Sequence, residues 1–301
     1  MDVEQLIEKA RKMVDSFRVT SGKKFRLRDI DPGDTLGIGS EVKSRAKEAL
    51  SLGIRALAEL QDKLYAQDRW AALVVLQGLD ASGKDGVIKH VMSGVNPQAC
   101  QVHSFKTPSV EDLDHDFLWR YMKRLPNRGH IGIFNRSYYE ETLVVRVHPE
   151  FLAQQRIPSS LVTKDIWKER FHDIRAFEAY LARNGVVPMK FLLHLSKEEQ
   201  RRRLLERAET PEKYWKFSVS DMAERTKWDA YQDAFEDMIR NTATEDCPWY
   251  VVPADNKWFT HGIVAAAIID RLGSLDLAYP RVDKVKLREI EEAKRSLLKA
   301  K

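Results

Sequence analysis

A short apolar run that leads into a glycine-rich turn decides the fold of this chain. Residues Ala71–Gln77 read AALVVLQ, and residues Gly78–Gly86 follow directly as GLDASGKDG. A continuous apolar run of this length predicts a strand buried on both faces, and the pattern after the turn predicts a helix. The turn matches GxxxxGK, in which backbone N–H groups and a lysine surround a phosphate. We therefore predict a phosphate site where this strand ends.

Apolar runs and helical patterns alternate along the rest of the chain. The other predicted strands are Gln101–Phe105, Ile131–Phe134, Met189–Leu195 and Trp249–Pro253. The predicted helices are Glu41–Ala66, Asp85–Ser93, Val110–Lys123, Lys164–Asn184, Lys197–Ala208, Ser220–Thr242 and a C-terminal helix over Val285–Lys301. Apolar strands separated by helices are typical of a three-layer α/β fold with a central parallel sheet. Such sheets bind ligands at the carboxyl ends of their strands.

The glycine-rich turn departs from the common phosphate loop at two positions. Asp85 stands where Ser or Thr usually ligates Mg²⁺, and Asp80 places a carboxylate inside the loop. A carboxylate there repels phosphates unless a metal lies between, so we predict that Asp80 ligates Mg²⁺. The alternative is an Asx residue that stabilises the turn. We expect Lys84 to reach phosphoryl oxygens. The other phosphate-binding candidates of the loop are Gly78, Ala81, Ser82, Gly83, Asp85 and Gly86.

The strand Ile131–Phe134 is followed by polar residues that belong to the same predicted site. Asn135 stands where phosphate-loop proteins usually offer an Asp to the metal, so it is a neutral candidate ligand. We expect Arg136 to face the phosphates, because an unpaired guanidinium at a strand end is costly to bury. Glu140 would bind metal or orient the acceptor, and a surface ion pair is its alternative role.

A basic segment after Met189–Leu195 has the pattern of a mobile lid. Kinases close such a segment over the transferring phosphoryl group, and its cations neutralise the charge. The alternative is a solvated amphipathic helix with mixed charges. Trp215 lies between lysines and favours the lid, since an exposed tryptophan is uncommon on a plain surface. The candidate phosphate-binding residues of this segment are Arg201, Arg203, Arg207, Lys213 and Lys216.

The composition indicates a packed protein whose charge excess lies at its ends. The chain has 301 residues, is 43% hydrophobic and carries a formal charge of +5. Residues 61–280 hold 30 basic and 31 acidic side chains, so an anionic ligand would meet a local cluster, and we expect no nucleic-acid partner. We find no apolar run that could span a membrane and no secretory h-region. With cysteines only at Cys100 and Cys247, we expect a cytoplasmic protein.

The motifs in their order resemble the polyphosphate kinase 2 family. They are GLDASGKDG, FNRSYYEE, SKEEQRRRLLER with PEKYWKF, and WYVVPADNKWF, and the resemblance runs from about Phe25 to Tyr279. It implies a thymidylate-kinase-like P-loop fold with a helical lid, which moves phosphate reversibly between inorganic polyphosphate and nucleotides with Mg²⁺, or Mn²⁺ as a substitute. We divide the chain into an N-terminal extension and helix over 1–66, a kinase domain over 67–280 with the lid around 197–220, and a basic C-terminal helix over 281–301.

The resemblance also assigns roles to residues. Asp80 and Lys84 match the Walker A metal and phosphate residues, and Asn135 and Arg136 match the Walker B motif, with Asn where some members have Asp. Glu140 after the paired tyrosines resembles the subgroup that phosphorylates both AMP and ADP, giving ADP and ATP, whereas subgroups restricted to one nucleotide typically carry Asn there. Guanine nucleotides are further candidate acceptors. The family is often oligomeric, so we expect a homo-oligomer, with the predicted helix Glu41–Ala66 as a candidate contact.

Two other functions stay open on the residues alone. An ATP-dependent nucleoside monophosphate kinase would share the fold, the phosphate loop and the lid. A non-catalytic protein that binds polyphosphate or nucleic acid through a degenerate loop is the second alternative, and Asp85 is its best argument. The choice of phosphate donor separates the first alternative from the expected function. Salt-dependent binding without Mg²⁺-dependent turnover would indicate the second.

Overall fold

The structure, a computed structural model, describes residues 3–39 and 43–299. Its central feature is a six-stranded sheet in the order β1-β6-β5-β2-β4-β3. The strands are β1 (Arg18–Val19), β2 (Ala71–Gln77), β3 (Cys100–Ser104), β4 (Ile131–Asn135), β5 (Val186–His194) and β6 (Trp249–Pro253). Strands β2 to β6 pair in parallel, while β1 pairs antiparallel with β6 at the edge. The predicted α/β fold with a central parallel sheet is confirmed.

Helices cover both faces of this sheet. They are α1 (Val3–Val14), α2 (Lys43–Gln67), α3 (Lys84–Val91), α4 (Val110–Leu113), α5 (Trp119–Met122), α6 (Val144–Val147), α7 (Glu150–Gln154), α8 (Ile166–Arg183), α9 (Lys197–Glu209), α10 (Val219–Thr226), α11 (Trp228–Thr242), α12 (Lys257–Gly273) and α13 (Lys284–Lys299). Within the described residues, no helix has both the length and the apolar character needed to cross a membrane.

Strand β2 lies at the centre because each of its faces is apolar. Val74 and Leu76 belong to the core formed with α1, α2 and α12, and Leu73 and Val75 belong to the core formed with α8 and α11. Every residue of β2 is buried. Burial of one such side chain contributes about 1.5–3 kcal/mol, so a continuous apolar strand is stable only between two layers.

The topology places a crevice at the carboxyl end of β2. From β2 the chain crosses to the edge strand β3 and returns through β4, and it then places β5 on the opposite side of β2. Leu76 of β2 pairs with Asn135 of β4, so the residues that follow these strands lie side by side. Open parallel sheets bind ligands at such a switch point.

Two predicted helices are wrong, because each is divided into two shorter helices. The predicted helix Val110–Lys123 is split into α4 and α5: Ser109 and Asp112 form a capping box for α4, and the Asp116 side chain accepts from the backbone N–H of Leu118 before α5. The predicted helix Ser220–Thr242 is interrupted at Lys227, between α10 and α11.

Other elements were missed or have different bounds from those predicted. Strand β1 has only two residues, and β5 begins at Val186 instead of Met189. Helix α12 is apolar on most sides, which leaves little helical period to detect. Helix α1 was missed although its 12 residues have the helical period, with Val3, Leu6, Ile7 and Ala10 on one face. Helix α2 is described over Lys43–Gln67. The predicted start of this helix, Glu41, and the predicted end of the C-terminal helix, Lys301, lie outside the described residues.

The amphipathic face of α2 is used within the chain. Leu57, Leu60 and Leu64 are buried in the core that α2 shares with α12 and the sheet. The predicted homo-oligomer and the predicted domain boundaries stay predictions. Helix α13 contrasts with α2, because all of its residues are exposed.

Candidate active site

The glycine-rich turn forms a tight phosphate loop between β2 and α3. Gly78 and Gly83 have φ values of 146° and 109°. A Cβ atom at Gly78 would lie 2.7 Å from Ser82 Oγ and 2.9 Å from the Leu193 carbonyl oxygen, so only glycine fits. Ala81 is also left-handed, with φ 66°, at a cost of about 1–3 kcal/mol that its surroundings must offset. Successive backbone turns of this kind form nests that bind anions.

Lys84 begins α3 and reaches back across this loop. Its Nζ donates to the carbonyl oxygens of Gly78 at 2.6 Å and Leu79 at 3.2 Å. Burial lowers the pKa of Lys84 to about 8, and the positive charge of Arg136 acts in the same direction. An anion in the loop favours the charged form, so this lysine is placed to respond to a phosphate.

Asp80, Arg136 and Glu140 form a chain of ion pairs beside the loop. Arg136 Nη2 lies 2.7 Å from Asp80 Oδ1, and its Nη1 lies 3.0 Å from Glu140 Oε2. The charges of Glu140 and Asp80 outweigh burial and raise the pKa of Arg136. All three side chains are partly exposed, at 19–36%. The structure thus brings together residues that follow β2 and residues that follow β4, and it leaves them accessible to a ligand.

A second set of contacts joins β4, the loop helix and the lid. Asn135 Nδ2 donates to Asp85 Oδ1 at 3.0 Å, and Lys216 Nζ donates to Asp85 Oδ2 at 3.3 Å. Burial opposes ionisation of Asp85, but these two hydrogen bonds outweigh it and lower the pKa of the carboxyl group. Asp85, at the position where a hydroxyl ligand is common, is therefore an ionised link between the loop and the lid.

Arg203 is buried, unlike the exposed cation expected of a mobile lid. It points from α9 into the protein, where it is buried, and its Nε donates to Glu199 Oε1 at 2.7 Å. Its Nη atoms donate at 2.6–3.1 Å to the carbonyl oxygens of Ala81, Ser82, Ala254 and Asp255. All these guanidinium donors are committed to protein acceptors, and the predicted contact between Arg203 and a phosphate stays a prediction.

The remaining lid candidates are exposed or partly exposed, and Arg207 and Lys213 are the partly exposed ones. Arg201 pairs with Glu198 at 2.9 Å, Arg207 with Asp221 at 3.5 Å, and Lys213 with Glu206. Trp215 is 78% exposed, and Lys216 Nζ lies 4.9 Å from the centre of its ring. The lid therefore presents cations and an aromatic ring to solvent, and Lys216 is the candidate among them that reaches the phosphate loop.

Sequence reasoning missed Gln77 and Asp221. Gln77 ends β2 and is buried; its amide nitrogen donates to Glu140 Oε1 at 2.9 Å and its oxygen accepts from Ser137 Oγ at 3.0 Å, with the amide orientation assigned from these partners. Asp221 of α10 faces the site, where burial and the negative charge of Asp80 raise its pKa. A polar residue at the end of an apolar strand was the available signal for Gln77, whereas Asp221 had none.

A buried network holds the turn that carries Arg136 and Glu140. Tyr138 and Tyr139 donate to Glu178 Oε1 at 2.9 Å and 2.7 Å, and Lys190 Nζ donates to Glu178 Oε2 at 2.7 Å. Burial and the charge of Glu178 raise the pKa of both tyrosines, so their hydroxyls remain protonated donors. Lys190 also donates to the Thr242 carbonyl oxygen at 2.8 Å. The paired tyrosines therefore anchor this turn to α8 and β5.

The residues of the loop fit a phosphate with a magnesium ion. Ser82 Oγ is buried without a hydrogen-bond partner in the part of the chain that the structure describes, so it has a donor to offer to an anion. The described residues hold no group of three His, Cys, Asp or Glu side chains placed for a metal. Mg²⁺ commonly binds one or two carboxylates together with substrate phosphates and water, and Asp80 suits that arrangement.

The fold and the site define a class of protein. A phosphate loop at the carboxyl end of a central parallel strand, with an arginine from the neighbouring strand and a basic lid, is the arrangement of a P-loop kinase. The family model for polyphosphate kinase 2 (PPK2) matches residues 40–278. The chain belongs to the polyphosphate kinase 2 family.

Individual relatives are similar over most of their length. An ADP-polyphosphate phosphotransferase of Rhodopseudomonas palustris is 46% identical, over 94% of this chain and 98% of its own. An AMP/ADP-polyphosphate phosphotransferase of Meiothermus ruber is 43% identical, over 88% of this chain and 95% of its own. The crystal structure of polyphosphate kinase 2 from Arthrobacter aurescens TC1 superposes with a TM-score of 0.85 at 36% identity, covering 94% of this chain and 96% of that one.

Proposed function

We propose that this protein transfers phosphoryl groups from inorganic polyphosphate to AMP and ADP, forming ADP and ATP, and that the transfer is reversible. The observation that carries the proposal is the chain Asp80–Arg136–Glu140 beside Lys84 at the switch point of a polyphosphate kinase 2 fold. Each transfer forms a bond between a nucleotide phosphate oxygen and the terminal phosphorus of the polymer, and it breaks the bridging P–O bond, which shortens the polymer by one phosphate.

The reaction places few chemical demands on the protein. The acceptor oxygen of a nucleotide phosphate is already anionic, so no strong base is required, and catalysis rests on positioning and charge neutralisation. The loop and Lys84 would bind phosphates. Arg136 would exchange part of its contact with Asp80 and Glu140 for phosphoryl oxygens, since all three groups are accessible. The lid cations Arg201, Arg207, Lys213 and Lys216 would neutralise the charge of the polymer.

Mg²⁺ is the proposed divalent cation, with Mn²⁺ as a substitute. When bound, it would offset the negative charge of the phosphates. Asp80 is the proposed ligand, and Asn135 and Glu140 are the further candidates. Arg136 contacts Oδ1 of Asp80 and Oε2 of Glu140, so a metal would share these carboxylates with the guanidinium or replace it at one of them.

Glu140 is the proposed acceptor-side residue. One of its carboxylate oxygens contacts Arg136 and the other accepts from Gln77, so the group is fixed at the rim of the site. The relatives differ in the acceptors that their names give, ADP for one and AMP/ADP for the other. We propose that this chain uses both, that guanine nucleotides are further acceptors, and that the protein acts as a cytoplasmic homo-oligomer.

Transfer assays with each combination of phosphate donor and nucleotide acceptor test the function. The purified protein receives polyphosphate or ATP as donor, with AMP, ADP or GDP as separate acceptors, in the presence of Mg²⁺ or of a chelator. We expect phosphorylation of AMP and ADP with polyphosphate and no turnover with the chelator. Transfer from ATP but not from polyphosphate would identify a nucleoside monophosphate kinase. Binding of polyphosphate without turnover from either donor would identify a non-catalytic protein.

A further inference from the structure

One face of α9 forms the outer wall of the phosphate loop. Gln200 Nε2 donates to the carbonyl oxygen of Asp80 at 3.0 Å, and Arg203 Nη1 donates to those of Ala81 at 2.9 Å and Ser82 at 3.1 Å. Both side chains are buried, at 4% exposure each. The carbonyl oxygens of successive loop residues are thus held by side chains of a single helix.

We propose that Gln200 and Arg203 are positioning residues that orient the phosphate loop, and that neither contacts the phosphate. In a peptide group the C=O of one residue and the N–H of the next point in opposite directions. The carbonyl oxygens of Asp80 and Ser82, held toward α9, therefore direct the N–H groups of Ala81 and Gly83 away from α9, toward the anion site. The N–H of Ser82 instead donates to the Leu79 carbonyl oxygen at 3.1 Å and closes the turn. The inference rests on the proposed function only in requiring that the loop binds a phosphate chain.

The strain in the loop explains why it needs support. We call the two supporting side chains, Gln200 and Arg203, the clamp. Ala81 is held at φ 66°, a conformation that persists only where its surroundings over-determine it. Its carbonyl oxygen is one of those that Arg203 binds. The same guanidinium donates to the carbonyl oxygens of Ala254 and Asp255 after β6, so the loop is joined to a rigid part of the sheet. A planar fork with five donors can make all these contacts, and an ammonium group cannot.

The neighbouring arginines supply an internal comparison. Arg201, Arg202 and Arg203 are consecutive, but Arg201 and Arg202 are exposed and pair with Glu198 and Glu199 on the surface of α9. Arg202 contacts the same Glu199 that contacts Arg203. Arg202 therefore shares the local charge and the acidic partner of Arg203 without touching the loop, which makes it a matched control.

Titration calorimetry, which measures the dissociation constant of inorganic tripolyphosphate, tests the clamp. The variants are Arg203→Lys, Gln200→Met and the control Arg202→Lys, and the arginine replacements keep the charge. We expect the dissociation constant to rise by about tenfold for Arg203→Lys and by roughly threefold for Gln200→Met, the range for loss of one or two hydrogen bonds. It should change by less than about twofold for Arg202→Lys, where only a surface ion pair is altered.

Other results would overturn the clamp. If Arg203 contacted phosphate directly as a charge, Arg203→Lys would retain affinity and Gln200→Met would have no effect. Equal losses of tripolyphosphate affinity in Arg202→Lys and Arg203→Lys would show that the whole arginine run contributes by its charge and not through contacts with the loop. Circular dichroism of each variant checks folding, and Gln200→Met carries the test if Arg203→Lys does not fold.

Failure of the clamp and failure of the proposed function are distinguishable. Binding of tripolyphosphate reports on the loop whichever donor the enzyme uses, whereas the function is judged from transfer by the unmodified protein. A wild-type enzyme that transfers phosphate from polyphosphate, with variants that bind tripolyphosphate as tightly as it does, would reject the clamp alone.

Discussion

Two networks of charged side chains lie on either side of the paired tyrosines, and they differ in burial. Lys190 and Glu178 are almost fully buried, and hydrogen bonds from Tyr138, Tyr139 and Lys190 satisfy both oxygens of the carboxylate. The network of Asp80, Arg136 and Glu140 is partly exposed, and its carboxylates share a single guanidinium. One network is closed to ligands, and the other is open to them.

The difference indicates separate roles in stability and in catalysis. Removing one partner of a buried pair leaves an uncompensated charge, which costs much more than losing a pair that water can solvate. Partly exposed charges can exchange partners when a phosphate or a metal arrives. We therefore expect substitutions in the Lys190–Glu178 network to change unfolding, and substitutions in the Asp80–Arg136–Glu140 network to change turnover.

The largest expected effect is on stability, at the buried pair. Lys190→Met leaves Glu178 without its cation and should lower the free energy of unfolding by about 3–5 kcal/mol. Urea denaturation measures this change. The double variant Lys190→Met with Glu178→Gln removes both charges, keeps an oxygen that accepts from the two tyrosine hydroxyls, and should recover most of the loss. A single variant as stable as the wild type would show that the tyrosine hydroxyls alone support the carboxylate.

The next effect is on catalysis, at the open network and the adjoining lysine. Asp80→Asn and Lys84→Ala should each reduce transfer from polyphosphate to AMP or ADP by about 10²–10³-fold or more, because each removes a charge that the transition state requires. The free energy of unfolding of Asp80→Asn should remain within roughly 1 kcal/mol of the wild type, as for other exposed pairs. Near-normal turnover in either variant would contradict the assignment.

A smaller effect is expected on the pH dependence of phosphate binding, and it tests whether Lys84 binds the phosphate as a cation. Its pKa of about 8 means that it is charged below that pH and neutral above it, so phosphate binding at higher pH must first protonate it. Affinity for tripolyphosphate should be level between pH 6.5 and 7.5 and should fall by up to about tenfold per unit above pH 8. Titration calorimetry measures this. Lys84→Arg remains charged, so its affinity should not fall above pH 8. An identical fall in affinity in that variant would show that titration of the ligand causes it.

The smallest effect is expected in the lid. Trp215→Ala should raise the KM for polyphosphate or nucleotide by about two- to tenfold, the value of one stacking or cation–π contact, and should leave the melting temperature unchanged. Trp215→Phe retains a ring and should restore most of the affinity. A drop in melting temperature for Trp215→Ala would mean that the indole stabilises the fold.

The sequence predicted those parts of the fold and site that depend on neighbours along the chain. The apolar run of β2, the glycines of the loop and Lys84 lie within a few residues of one another, so the spacing alone indicated a phosphate loop. The ends of the helices were less predictable. Asp116 divides one predicted helix because its side chain accepts from a backbone N–H. Ser, Asp and Asn are also found inside helices, so the residue type alone does not show where a helix ends.

Arg203 shows what local pattern could not decide. Its sequence context, a run of three arginines, is nearly identical to that of Arg201, yet one side chain points into the protein and the other into solvent. The helix period shows which residues share a face, but only packing against the loop and the end of β6 selects the buried face. Gln77 and Asp221 likewise join the site through contacts with residues far away in the sequence.

The amino-acid sequence by itself determined the α/β fold, the phosphate loop and the residues that follow the central strands, because strand burial and loop geometry depend on short-range order. Only the tertiary structure decided which basic residues face the loop, which arginine supports it from behind, and how Glu140 is held. Those outcomes depend on the distance and burial of groups that the chain brings together from separate elements. A side chain acquires its partners, and hence its pKa and its role, only after the sheet and helices have assembled.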